Sequence, residues 1–273
     1  MNKMKTKKQE TINIFYEGLT FLQKLISNYN FKSKLKESYE FVKSISIALI
    51  VAIIIRSVMF EPFSVPSGSM KPNFLVGDYL FVSKYYYGIS KHSFPLSLDL
   101  FEGRKFVLNK PQRGDVIVFR SPQEPASTHY IKRLVGLEGD RIQVKEGKLY
   151  INGKSVKLGY NGAFTDTDGK KINENIETLP SGVSYKILDE NPFGYLDNTP
   201  VYIVPKGHYF FMGDNRDSSI DSRVTGGPIG FVPEEYIVGK ATLILFSNPE
   251  PLWKLWKWVI SFNLNRFFIK ITP

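Results

Sequence analysis

The chain contains no cysteine. No disulfide can brace it, no thiolate can ligate zinc, and no thiol can act as nucleophile, although this absence does not identify a redox compartment. Histidine is scarce, limited to His92, His129 and His208. None of the three accompanies a G-x-S-x-G elbow, and H-E-x-x-H is missing, so neither a Ser-His-Asp hydrolase nor a zinc peptidase shows its usual signature. Scattered histidines give weak grounds for a metal site, and neither metal nor cofactor is expected. Internal repeats are also lacking.

What is present is basic charge, unevenly placed. The net charge of +10 would fit nucleic-acid binding if it lay on a folded body. Instead, residues 1–43 hold nine Lys against four Glu, and 251–273 hold Lys254, Lys257, Arg266 and Lys270 with no acid. The excess flanks apolar segments, which favours contact with a lipid bilayer and argues against nucleic acid. The run FVKSISIALIVAIIIRSVMF at 41–60 has twenty residues, about 30 Å of helix and roughly one hydrocarbon core. Lys43 and Arg56 lie where long side chains can snorkel. A cleaved signal peptide would need a small-x-small site beyond the run, and RSVMFEPF offers none. The expectation is an anchor at 41–60, a cytoplasmic extension at 1–40, and everything after residue 60 on the opposite side of the membrane.

From residue 74 onward the pattern changes to short β-rich runs punctuated by Gly, Pro, Asn and Asp, such as GDVIVFR and HYIKRLVGL. The reading is a mainly β, antiparallel domain over 61–250. Asn152-Gly153 suits a tight hairpin turn. Residues 88–112 read as irregular. Residues 154–198 are too long for a plain loop and predict an inserted β-rich subdomain. Residues 11–26 have helical spacing. The tail at 251–273, basic and aromatic, reads as a membrane-interface segment in preference to a second span, with packing against the domain as the alternative.

Three stretches could carry chemistry. FEPFSVPSGSMKPNF at 60–74 sets Ser64, Ser67 and Ser69 among prolines and Gly68, a stiff non-helical loop bearing hydroxyls. HYIKRLVGLEGD places Lys132 in a strand, sharing a face with Tyr130 and Leu134 by alternation. Most strand lysines are solvated. A lysine acting as general base near neutrality would need its pKa depressed by about 2–3 units, or roughly 3–4 kcal/mol, which apolar burial can impose. GDNRDSSIDSR at 213–223 interleaves charges of both signs with hydroxyls, fitting either a supporting hydrogen-bonded loop or a solvated turn.

PSGSM, RGDVIVF, YIKRLVG and GDNRDSSIDSR, in this order after an apolar N-terminal run, resemble the motifs of type I signal peptidase, a bacterial membrane serine protease. The likeness runs from about residue 42 to 250. It implies Ser69 as nucleophile, Lys132 as general base, and the Ser67 hydroxyl with the Ser69 N–H as oxyanion hole. Ser219 would orient Lys132, with Asp214, Asp221 and Arg223 as the charged scaffold. Val65 and Ile131, with Met70 nearby, would wall shallow pockets for small side chains. The implied substrates are signal peptides of exported preproteins, cut at the extracytoplasmic side of the bacterial cytoplasmic membrane. RVTGGPIGFVP departs from that pattern by extra residues. A self-cleaving Ser-Lys protease and a non-catalytic anchored β-rich binding protein are the alternatives.

Overall fold

The structure, a computed structural model, describes residues 13–24, 31–90, 103–124, 128–191, 193–250 and 254–272. It falls into two units, residues 1–53 and 54–273. In the first, α1 (13–24) is helical with every side chain exposed. Helix α2 (Phe31–Val58) carries the apolar run. Among the described residues no helix is long and apolar enough to cross a membrane. The side chains of 54, 57 and 58, inside the run, lie outside those described.

The second unit is built on an antiparallel sheet ordered β1 (Phe60–Ser64), β2 (Asp78–Ser83), β16 (Ile237–Ser247), β5 (Val116–Arg120), β6 (His129–Gly136), β14 (His208–Met212) and β15 (Val232–Pro233). All five residues of β5 are buried. Val116 and Val118 pack with Val65, Met70 and Leu80, while Ile117 and Phe119 pack with Tyr87, Leu134 and Phe211. Alternate residues thus enter different cores, as expected of a strand covered on both faces. Because both sets are apolar, burial alone would tolerate a one-residue slip of β5. Polar bonds oppose it. The Arg133 Nη1 of β6 donates to the Gly114 carbonyl, and the Leu134 N–H to that of Asp115.

Smaller sheets flank this one. β13 (Tyr202–Ile203), β7 (Arg141–Lys145), β8 (Lys148–Ile151) and β9 (Lys154–Ser155) form one. Its β8–β9 turn has φ +54° at Asn152 and +79° at Gly153, the pair of left-handed residues a type I′ hairpin requires. Within the stretch expected as an insertion, β10 (Lys157–Thr165), β11 (Lys171–Thr178) and β12 (Ser184–Asp189) form a meander. Leu179, Tyr185 and Ile187 tie it to a core shared with Val135 and Phe210. In the stretch read as irregular, β3 (Ile89–Ser90) pairs with β4 (Arg104–Lys105), and 91–102 lie outside the described residues.

The tail packs on the domain. Helix α3 (Leu255–Ser261) leads to β17 (Ile269–Lys270), which pairs with β16. Arg266 grips fully buried Asp78 through Nε at 2.9 Å and Nη2 at 2.5 Å. Trp258 and Phe262 pack against Phe246. The sequence reading favours a membrane-interface segment over a second span, with packing as the alternative; the structure shows packing, and the buried partner of Arg266 is its physical reason.

Candidate active site

After β1 the chain turns through a single 3-10 turn, Gly68–Met70. Val65 before it, Met70 at its end and Phe74 after it are almost wholly buried. These apolar residues hold the turn against the sheet and leave Ser69 buried but not sealed, at 7% exposure. β6 supplies Lys132, paired across to Ile117 of β5 and 3% exposed. Its Nζ lies 2.5 Å from Ser69 Oγ. Burial pushes its pKa down to about 8, opposed by the Asp221 and Asp214 carboxylates and assisted by Arg223. Ser67 Oγ is 3.3 Å from Ser69 Oγ and its residue is exposed.

The 213–223 loop closes on this pair. β14 ends at Met212, opposite Arg133, and the chain enters Gly213. A Cβ at Gly213 would lie 2.1 Å from Ser219 Oγ and 2.7 Å from the Ser69 carbonyl oxygen, so only glycine allows this approach. Ser219 reaches the site, but its buried Oγ has no hydrogen-bond partner among the described residues. The expected Ser219–Lys132 bond is therefore absent, because the Ser219 hydroxyl lies over Gly213.

Two buried ion pairs brace the loop. Asp221 accepts from the Gly213 N–H at 2.9 Å and from Arg223 Nε and Nη2 at 2.9 and 2.8 Å. Burial raises its pKa, but Arg223 and the two backbone N–H donors outweigh that and hold it below the usual range. Asp214 accepts from Arg133 Nε at 2.8 Å, Arg133 Nη2 at 2.7 Å and Asn73 Nδ2 at 2.7 Å. A third pair links Arg216 to Glu177 of β11, at 2.9 and 2.5 Å. The sequence reading named Asp214, Asp221 and Arg223 but missed Arg133, Glu177 and Asn73. Arg133 carried a signal, being the neighbour of Lys132 on the opposite strand face. Glu177 carried none.

Val65 and Ile131 line a cleft with Phe63, Pro66, Leu80 and Tyr130. Met70, expected near the pockets, is fully buried in the core and is not part of that lining. Of the other candidate bases, His129 lines the same cleft and His208 does not. His129 packs on Phe63 with ring centroids 5.2 Å apart, and His208 Nδ1 is 2.9 Å from the Lys206 carbonyl. His92 is outside the described residues. Among the described residues no group of three His, Asp or Glu is placed to hold a metal ion. Chemically, a buried amine drawn towards its neutral form and in contact with a hydroxyl can accept that hydroxyl's proton.

The family model described as signal peptidase, peptidase S26, matches residues 38–246. Signal peptidase I of Rickettsia canadensis (strain McKiel) is 42% identical over 248 residues, covering 83% of this chain and 91% of that protein. Signal peptidase I of Rickettsia prowazekii (strain Madrid E) is 41% identical over 260 residues, covering 88% and 96%. The crystal structure of a signal peptidase I from Enterococcus faecalis V583 is 27% identical and covers 49% of this chain and 98% of that one. Its TM-score of 0.29 is too low to compare the folds. On the family match and the extent of these relatives, the chain belongs to the signal peptidase family, peptidase S26.

Proposed function

We propose that this signal peptidase, a serine protease that removes signal peptides from exported preproteins, cuts with Ser69 as nucleophile and Lys132 as general base. The observation that carries the reading is the 2.5 Å approach of Lys132 Nζ to Ser69 Oγ, with burial drawing the lysine towards its neutral form. Neutral Lys132 takes the Ser69 proton as Oγ attacks the scissile carbonyl. The resulting oxyanion is met by the Ser67 hydroxyl and the Ser69 N–H. Lys132 then returns the proton to the departing amine, leaving an acyl-enzyme. In the second half Lys132 takes a proton from water, the hydroxide oxygen attacks the ester carbon, and Ser69 leaves with that proton. For Ser219 to accept from the ammonium once it forms, its hydroxyl, which has no hydrogen-bond partner among the described residues, would turn from Gly213 towards Lys132. Asp214, Asp221 and Arg223 keep the loop in place around the pair. Val65 and Ile131 limit the cleft to small side chains before the cut.

The same reading includes an anchor at 41–60. Ile47, Leu49, Ile50, Val51 and Ile53, spread around the helix, expose 53, 57, 56, 48 and 53% of their surface. A helix apolar all round is suited to hydrocarbon rather than water. The lysine excess before it favours a cytoplasmic N-terminus and a catalytic domain beyond the cytoplasm. Ser69 follows Phe60 by nine residues, which limits its distance from the end of the anchor to about 30 Å. Exposed Trp256, Leu264 and Phe268 of the packed tail suit the headgroup layer.

Cleavage of a purified preprotein in detergent tests this. The parent should cut after a small-x-small site, and folded Ser69→Ala and Lys132→Ala should not. Parental rates from either variant would overturn the assignment.

A further inference from the structure

The turn bearing Ser69 is held by one residue to which no role has been given. Asn215 is 4% exposed. Its backbone N–H donates to the Ser69 carbonyl at 3.1 Å, and its side-chain Nδ2 donates to the Gly68 carbonyl at 3.2 Å. These two carbonyls flank the reactive hydroxyl. The bond between Gly68 and Ser69 is a trans peptide, since among the described residues the only cis bond is Lys71-Pro72. A trans peptide is planar, so its C=O and the following N–H point in opposite directions. Fixing the Gly68 oxygen therefore fixes the direction of the Ser69 N–H.

We propose that Asn215 is a positioning residue of the oxyanion hole, aiming the Ser69 N–H by holding the Gly68 carbonyl on the far side of the same peptide plane. This rests on the reading of the Ser69 N–H as an oxyanion donor. The turn's own bond, Lys71 N–H to the Gly68 carbonyl at 3.1 Å, closes a single 3-10 turn, whose hydrogen-bond geometry is poor. Asn215 supplies the second bond to that oxygen from outside the turn.

The amide can do this because its own backbone is fixed from three directions. Gly213 is tied to Asp221 at 2.9 Å, and Asp214 to Arg133. Leu188 of β12 receives the Arg216 N–H and donates to the Asp214 carbonyl, both at 2.9 Å. The charged scaffold thus reaches the oxyanion hole as well as Lys132. Asn215 Oδ1 is buried without a hydrogen-bond partner among the described residues, so donation by Nδ2 is the use the side chain has here. A turned-over amide would set two acceptors against each other.

Asn215→Leu keeps the approximate volume and removes the donor without adding charge, and Asn215→Ala removes the side chain. In the full-length protein in detergent, kcat for a preprotein should fall about 10²-fold in both, close to the loss of one oxyanion donor. KM should stay within about twofold, because only the transition state carries the charge. The inhibition constant of a peptide aldehyde ending in alanine, which forms a tetrahedral adduct on serine, should rise by a similar factor. The midpoint of the kcat/KM–pH profile should not move, since Asn215 bears no charge. Parental kcat and aldehyde inhibition in both variants would overturn the inference, as would a rise in KM alone or a shifted pH midpoint. Ser69→Ala assayed alongside separates the two readings. If it still cuts, the nucleophile assignment fails. If it is inactive while the Asn215 variants match the parent, only the role of Asn215 fails.

Discussion

Lys132 offers the sharpest quantitative test, because its burial makes opposite demands on activity and stability. Its folded pKa of about 8 against an ordinary 10.5 corresponds to about 3 kcal/mol working against the buried cation. At pH 7 about one molecule in eleven would hold the neutral base, compared with roughly one in 3,000 for an ordinary lysine. For activity, kcat/KM should rise about tenfold per pH unit below 8 and then level off. The stability effect has its own sign. Between pH 8 and 10.5 the unfolded chain binds a proton at this position that the folded chain does not, so stability gained from Lys132 rises with pH across that window. Below it the parent carries the full cost. The perturbation is Lys132→Met, similar in length and uncharged. In urea unfolding of the full chain in detergent, the variant should be the more stable by about 3 kcal/mol at pH 7, with the gap closing by pH 10.5. Taking the difference cancels the other titrating groups. A pH–rate limb centred near 10, or a gap independent of pH, would refute the claim that burial tunes this lysine.

Other parts of the structure make separate predictions. Arg133→Met leaves Asp214, 1% exposed in its side chain, charged and unpaired, and should cost about 3–5 kcal/mol in urea unfolding; a loss under 1 would show that other donors suffice. Arg266→Ala strands Asp78 similarly and should free the tail, read as faster proteolytic trimming of 254–273 with the remaining domain intact. Asp166→Asn, in the β10–β11 turn, removes the carboxylate that holds Lys71 at 2.6 Å. Because neither group is deeply buried, the effect on stability should be about 1 kcal/mol or less. Ile131→Ala should open the cleft and let a preprotein with leucine before the cut be processed, measured as a changed ratio of kcat/KM for leucine and alanine substrates. An unchanged ratio would remove Ile131 from the pocket wall.

What could be read in advance was local. The Pro-Ser-Gly-Ser loop, the strand around Lys132 and the Asn152-Gly153 turn each depend on neighbours within a few residues, where φ limits and period-two alternation act directly. Their assembly depends on partners that no local pattern names. Glu177 meets Arg216 across 39 residues, Arg133 meets Asp214 across 81, and Arg266 meets Asp78 across 188. On the page each such residue looks like any solvated charge, because what separates a buried pair from a surface one is the counter-charge brought by the fold. The tail shows the consequence. Tryptophans, phenylalanines and lysines compose an interfacial segment equally well as a strap across a sheet, and the strap becomes visible only when Asp78 gives Arg266 a buried partner. Asn215 is the same case at the site itself. Its residue type suits any turn, and its importance appears only when Gly68, 147 residues earlier, is seen to present its carbonyl there. The motifs thus name the candidate reacting atoms, while the aim of those atoms is set by contacts between distant parts of the chain.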